Sequence, residues 1–196
     1  MSKELILASA SPRRRWLLEQ IGLTFQVIPS SVDESHIVRC DPLANVQAIA
    51  LRKARDIADG VEDGIVIGAD TQILADGEVL GKPEDEADAV RMLSRLSGRT
   101  HRVITGVALV DTETGYEETW VEMTLVTFRE LAEDEISAYV ETGEPMGKAG
   151  AYGIQGRAAA FVERIEGCYF NVVGLPLAKL VQKLRKLTAE QPADSS

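Results

Sequence analysis

Residues 5–18 read Leu5-Ile6-Leu7-Ala8-Ser9-Ala10-Ser11-Pro12-Arg13-Arg14-Arg15-Trp16-Leu17-Leu18. A continuous apolar run, Leu5 to Ala8, reads as a buried strand. Ser9-Ala10-Ser11 breaks it. Ser11 is a helix-capping residue type, and Pro12 suits a first helical position, where its missing N–H has no intrahelical partner in any case. Trp16, Leu17 and Ile21 follow at helical spacing, and Gly22 stops the helix. A strand that turns directly into a helix opens an α/β layer.

The same signals recur downstream. Phe25 to Ile28 reads as a second strand, and Pro29 to His36 as a polar loop. Asp41-Pro42 repeats the cap-plus-proline signal at the head of a long helix that runs to about Asp59. Ile65-Val66-Ile67 reads as a buried strand ending in Gly68-Ala69-Asp70-Thr71, with a separate strand from Gln72 to Ala75 and a turn at Ala75-Asp76-Gly77-Glu78. Asp85 to Leu96 is helical. His101 to Val110 and Thr119 to Phe128 form strands of a hairpin around Glu113-Thr114-Gly115. Glu133 to Val140 is helical, Phe161 to Ile165 alternates like a strand, and Pro176 to Leu187 forms a final helix. Strands and helices alternate early and a hairpin intrudes later, so the class is α/β with a mixed, twisted sheet flanked by helices. Residues 1–187 form one domain, and 188–196 is a polar tail expected to be disordered.

Composition narrows the function. The chain has 196 residues, 45% of them apolar and 27% charged, with a formal net charge of −10. That balance argues against a broad basic face for nucleic acid. It leaves room for a small anionic ligand, because a local group of cations reverses the field. Cys40 and Cys168 stand far apart with no CxxC pair, which fits a reducing compartment. The apolar run at Leu5 is too short for a secretory signal, and its arginines follow it. No stretch approaches the ~20 apolar residues of a membrane span. A cytoplasmic location is expected. There is no GxSxG elbow, and His36 and His101 lack metal-ligand spacing. Gly77 to Lys82 and Gly143 to Lys148 imitate a phosphate loop, but neither lysine precedes Ser or Thr.

Four constellations can carry chemistry. In Ser9 to Arg15, a helix N-terminus with free N–H groups, two hydroxyls and arginines suits a phosphate. Successive helical side chains diverge by ~100°, so Arg13 and Arg14, nearest the N-terminus, are favoured and Arg15 is left to the surface. Asp70, at the end of an apolar run, stands where α/β sheets bind ligands and could hold a metal or take a proton from water, although an isolated Asp more commonly caps a turn. Asp33-Glu34 is a weaker acidic signal of the same kind. Lys82, in Leu80-Gly81-Lys82-Pro83, offers an ammonium from a loop whose backbone Gly81 frees and Pro83 restrains. Lys53 lies on a helix, where an exposed face is the commoner role. In Lys148 to Gly156, three glycines let backbone approach a flat ligand. The Gln155 amide offers a donor and an acceptor that match the adjacent O4 and N3–H of uracil or thymine, a pattern cytosine reverses.

With these residues in place, the chain resembles the Maf family of nucleoside triphosphate pyrophosphatases from Leu5 to about Leu177. The resemblance is carried by LILASASPRRRWLL, the Asp33-Glu34 loop, GADT, LGKP, LSGRTHRVITGVAL, KAGAYGIQG and NVVGLPL. It implies a two-lobed α/β fold with a central cleft, similar to the inosine triphosphate pyrophosphatases. It also implies a cytoplasmic enzyme, a homodimer as the candidate assembly, and a divalent cation. Oxygen-rich candidate ligands point to Mg²⁺ or Mn²⁺. The reaction would convert a nucleoside triphosphate and water to the monophosphate and pyrophosphate. The SPRR match implies phosphate binding and specificity at Arg13, with Ser9, Ser11 and Arg14 beside it. The remaining matches imply a metal-binding carboxylate at Glu34, a helix lysine at Lys53, and a proton-accepting or metal-organising carboxylate at Asp70. They further imply a specificity position at Thr71, a cleft lysine at Lys82 and a base-reading amide at Gln155. Thr71 and the GIQG segment resemble the dTTP/UTP branch. The same family also leaves room for house-cleaning of other non-canonical nucleotides, or for a nucleotide-binding regulator of cell division with little turnover. The chain departs from the family pattern EPxDKAG at Gly147, where an Asp is usual, and the expectation is lower turnover without its loss.

Overall fold

A computed structural model describes residues 3–34, 37 and 40–189. His36 and the tail beyond Ala189 lie outside the described residues. β1 (Glu4–Leu7) pairs in parallel with β2 (Gln26–Val27) and with β3 (Gly64–Ala75). β3 pairs antiparallel with β4 (Glu78–Leu80) and with β5 (Thr100–Asp111). β6 (Glu117–Phe128) follows antiparallel to β5, and β7 (Val162–Glu166) antiparallel to β6. The order is β2-β1-β3-β5-β6-β7, with β4 on the far end of β3, a seven-stranded mixed sheet as expected.

The helices are α1 (Pro12–Gln20), α2 (Pro42–Ala58), α3 (Glu86–Leu96), α4 (Glu133–Glu141), α5 (Tyr169–Val173) and α6 (Leu177–Ala189). Asp41 caps α2 by accepting from the Leu43 N–H at 3.1 Å. Ser11 stands at the N-cap of α1, but its hydroxyl makes no capping bond; its N–H donates to Ser9 Oγ at 3.2 Å instead. The α1 helix therefore starts with its hydroxyl uncommitted. The last helix continues past Leu187, with Thr188 Oγ1 donating to Leu184 O at 3.1 Å. No helix among the described residues is long and apolar enough to cross a membrane.

The pleat of β1 sends Ile6 and Leu7 to opposite faces. One face, under α2, carries Ile6, Ala8, Ala50, Ala54, Val66 and Ala108. The other carries the larger core, including Leu7, Leu17, Ile67, Leu93, Val107 and Phe128. Each buried Ile, Leu, Val or Phe contributes about 1.5–3 kcal/mol.

The expected break in β3 at Gly68 does not occur. β3 runs twelve residues unbroken because Ile65 to Leu74 pair one for one with β5. Gly68 and Gly106 are not punctuation. They are where α2 rests on the sheet: a Cβ at Gly68 would lie 2.9 Å from Ala54 Cβ and collide with the Ala50 carbonyl, and one at Gly106 would collide with the Val46 backbone.

What β3 does lose is a neighbour on one side. β1 pairs with it only from Gly64 to Ile67, and β4 only from Ile73 to Ala75. Between them, residues 68–72 have β5 on one edge and no strand on the other. This notch positions the site.

Candidate active site

The notch opens into a cavity of about 670 Å³, within the size range of nucleotide and cofactor clefts. The β1–α1 turn lines one wall, the Leu80–Lys82 stretch after β4 another, and the glycine-rich segment from Gly147 to Gln155 a third. Its charged lining consists of four cations, Arg13, Arg14, Lys53 and Lys82, and two carboxylates, Glu34 and Asp70. An acidic protein thus has a cation-rich cleft.

Asp70 and Lys53 meet because of the glycines beneath α2. Asp70 is two residues beyond Gly68 on the same face of β3, and its cross-strand partner is Gly106. The helix can therefore lie close, and Lys53 comes down over the carboxylate. Lys53 Nζ is 3.2 Å from Asp70 Oδ1 and 2.7 Å from Glu34 Oε1. The Lys53 side chain is 12% exposed, so its placement on a solvated helix face is corrected. Asp70 is 8% exposed and does not cap a turn, because it sits inside an unbroken strand.

The two arginines expected to act alike differ. Arg14 is buried: Nε donates to Gly174 O at 2.9 Å, Nη1 to Ser9 Oγ at 3.1 Å and Nη2 to Thr71 Oγ1 at 3.1 Å. Desolvation pulls its pKa down, against the pull of Asp70. Three of its five N–H donors hold the scaffold, and Arg14 lines the cavity beside Arg13. Arg13 is half-buried, lines the cavity and has no side-chain partner among the described residues. Burial lowers its pKa too; an arginine remains charged in either case. Lys82 is exposed and likewise unpaired among the described residues. Its loop is not held by an unusual conformation at Gly81, which has no positive φ. The Gly81 carbonyl instead accepts from the Gly150 N–H at 2.9 Å and ties two walls together.

Ser9 Oγ accepts from Arg14 and from the Ser11 N–H, leaving its own proton to donate. Ser11 lines the cavity with its hydroxyl free of protein partners among the described residues. The Thr71 hydroxyl accepts from Arg14 and lies 2.9 Å from Thr105 Oγ1, which in turn donates to Asn171 O at 3.2 Å. Thr71 lines the cavity and also sets the position of Arg14. Thr105, Asn171 and Gly174 form this strut, and the residue-by-residue reading did not single them out. Gln72 also escaped it. It lies on the Asp70 face of β3, with Nε2 3.4 Å from Asp70 Oδ2 and a buried Oε1 lacking any protein partner. The i, i+2 spacing on a strand was the available signal.

The donor set suits a hard divalent cation. Glu34 and Asp70 converge on one ammonium-sized position and offer only oxygen, and the unpartnered Gln72 Oε1 lies beside Asp70. No group of three or more His, Cys, Asp or Glu among the described residues forms a complete cage. One or two carboxylates, completed by phosphate oxygens and water, is the usual Mg²⁺ arrangement.

In the third wall, the glycines accommodate protein neighbours, and Gly153 also lines the cavity. A Cβ at Gly150 would lie 2.6 Å from Ile73 Cδ1, one at Gly153 2.9 Å from Lys148 Cε, and one at Gly156 2.6 Å from Glu144 Cδ. Tyr152 is an anchor. It is buried, its Oη is 2.8 Å from His101 Nε2, and it packs edge-on against Phe128. Burial raises its pKa. Gln155 is exposed, lines the cavity and keeps its amide free of protein partners among the described residues.

The family described as Maf-like protein matches residues 4–187. A dTTP/UTP pyrophosphatase of Moorella thermoacetica is 57% identical over 184 residues, covering 94% of each chain. That of Pelotomaculum thermopropionicum is 53% identical over 94% of this chain and 96% of its own. That of Symbiobacterium thermophilum is 56% identical over 93% of each. A solved nucleoside-triphosphatase / dITP/XTP pyrophosphatase from Mycobacterium abscessus aligns over 97% of this chain and 100% of its own, with 16% identity and a TM-score of 0.46, too distant to bear on the site. The match to the Maf model spans nearly the whole chain, notch and walls included, and the protein belongs to that family.

Proposed function

We propose that this protein is a nucleoside triphosphate pyrophosphatase that hydrolyses dTTP and UTP, and modified pyrimidine nucleotides of the same shape, to the monophosphate and pyrophosphate. The observation that carries the reading is the Lys53 ammonium bridging Asp70 and Glu34 in a cleft whose other charges, Arg13, Arg14 and Lys82, are all cationic. The relatives, named dTTP/UTP pyrophosphatases, suggest the substrates.

In this reading, water attacks the α-phosphorus and the bond to the bridging α–β oxygen breaks. Asp70 takes the proton from water, with its carboxylate oriented by Lys53 on Oδ1 and Gln72 on Oδ2. Arg13 and Lys82, the cations without protein partners among the described residues, bind the β- and γ-phosphates, and their charge stabilises the departing pyrophosphate. Ser9 and Ser11 add hydroxyl donors at the α1 N-terminus. Glu34 and Asp70 are the residues that would hold a divalent cation, Mg²⁺ or Mn²⁺, which when bound would neutralise phosphate oxygens and polarise water. Gln155 reads the O4 and N3–H edge of uracil or thymine. A cytoplasmic setting and a homodimer belong to the same reading and rest on the family resemblance.

The test is chromatographic product analysis with UTP and Mg²⁺. UMP with pyrophosphate is expected; UDP with phosphate overturns the bond assignment, and no product at all overturns the activity.

A further inference from the structure

The carboxylate of Glu144 is absent from the cleft lining, yet it organises the wall that carries Gln155. Glu144 follows α4 by a short turn. Its Oε1 accepts from Tyr139 Oη at 3.1 Å and from the Arg157 N–H at 3.0 Å, and its Oε2 lies 3.2 Å from the same N–H. Its backbone carbonyl accepts from Lys148 Nζ. One residue thus holds both ends of the segment from Lys148 to Arg157.

Gln155 lies inside that span. The Gly156 N–H donates to Gly153 O at 2.9 Å, closing a four-residue turn with Gln155 at its third position. On one side of Gln155, Ile154 is buried; on the other, Gly156 lies flat against the Glu144 carboxylate, where any Cβ would collide. The next residue is Arg157, whose N–H is the one Glu144 captures. The amide that faces the cavity is therefore fixed two residues away by a charged acceptor from another element.

We propose that Glu144 is the positioning residue for base selection: by clamping the Arg157 N–H and seating Gly156, it sets the Gln155 amide in register for uracil or thymine and against cytosine. The inference rests on the pyrimidine pyrophosphatase reading above. A residue that only stabilised the fold would, when removed, weaken all nucleotides alike. A positioning residue changes the ratio between bases, because a small displacement of one reading group costs up to about 100-fold.

The experiment measures kcat and KM for UTP and CTP in the full-length wild type, Glu144→Ala and Glu144→Gln, with hydrogen exchange at the Arg157 amide. In Glu144→Ala, the UTP-over-CTP preference is expected to fall about 10-fold through a higher KM for UTP, with kcat for UTP changed less than about 3-fold. The Arg157 amide loses its protection. Glu144→Gln, which keeps one carbonyl acceptor, recovers part of the preference, and it serves as the test should the alanine variant fail to fold. A folded variant that lacks the clamp but prefers UTP as strongly as wild type overturns the inference and leaves the activity standing; so does an equal loss for both nucleotides. A wild type that releases no pyrophosphate from UTP overturns the activity and the inference with it.

Discussion

The β1–α1 wall and the glycine-rich wall of the same cleft are built on opposite plans. In the first, a regular strand and helix hold the backbone, so Arg13 and Ser11 stay without protein partners, and across the cleft Lys82 does too. In the second, there is no strand or α-helix, only a single 3-10 turn at Ala149–Ala151. Nearly every polar group is taken up by the protein: Tyr152 by His101, Lys148 and the Arg157 N–H by Glu144, and the Gly150 N–H by Gly81. Among the described residues, the Gln155 amide faces the cavity without a protein partner. Charge tolerates small errors of placement because Coulomb attraction falls slowly with distance. An amide that must match a donor and an acceptor on a base edge does not, since hydrogen bonds weaken steeply off axis. On the proposed reading, a wall that binds charge can leave its groups loose, whereas a wall that selects a base has to be pinned.

The sharpest way to break the contrast is to remove the chemistry while leaving both walls. Asp70→Asn keeps size and hydrogen-bonding capacity but cannot accept the proton, so kcat should fall about 10²–10⁴-fold with KM for UTP little changed. Steady-state pyrophosphate release checks it, and near-normal turnover removes Asp70 from its role.

The next effect is on stability and belongs to the pinned wall. His101 is 2% exposed, and burial lowers its pKa from 6.5 to about 4. The protonated ring also carries an N–H at Nδ1, which has no partner among the described residues. The unfolded chain therefore binds the proton first as pH falls. The contribution of neutral His101 is complete above about pH 6.5 and is lost progressively down to about pH 4, by on the order of 3 kcal/mol. Urea unfolding at a series of pH values should show this limb in wild type and a shallower one in His101→Gln. Identical pH profiles in the two proteins would place the acid sensitivity elsewhere.

Gln155→Ala is smaller in free energy but more specific. It should reduce the preference for UTP over CTP by about 10-fold or more while thermal stability stays near wild type, since the amide touches no protein group. Preference that survives means backbone groups read the base.

Local signals carried the scaffold of the first wall. The Leu5 to Ala8 run, Pro12 and the Asp41-Pro42 cap are short-range patterns, and β1, α1 and α2 lie where they say. The same stretch could not separate Arg13 from Arg14, because the groups that claim Arg14 lie 57 and 160 residues away at Thr71 and Gly174. Nor could it show Lys53 over Asp70. That contact depends on two glycines, 38 residues apart, lying under one helix; in sequence they look like breaks. In the second wall the motif was legible as glycine-rich, but the protein neighbours of its glycines were not. Each glycine makes room for Ile73, Lys148 or Glu144, and spacing within the segment holds no record of those neighbours.

The smallest expected effect concerns the residue where the two walls come closest electrically. Gly147 has φ +75° and lines the cavity, with open space where a Cβ would stand. It precedes Lys148, whose pKa is lowered by burial, against the pull of Glu144 and with a smaller push from Arg13. An aspartate here therefore meets no steric barrier and adds a carboxylate beside two mutually repelling cations. The left-handed backbone costs a side chain about 1–2 kcal/mol, less for Asp than for most. Gly147→Asp should thus lower stability slightly. It should raise turnover by no more than about fivefold, the rate equivalent of a 0.2–1 kcal/mol ion-pair gain. Thermal unfolding and kcat with UTP measure both. Unchanged kinetics would mean that the glycine at this position does not limit the enzyme, and that the like-charge pair of Arg13 and Lys148 is already relieved when a triphosphate binds between the walls.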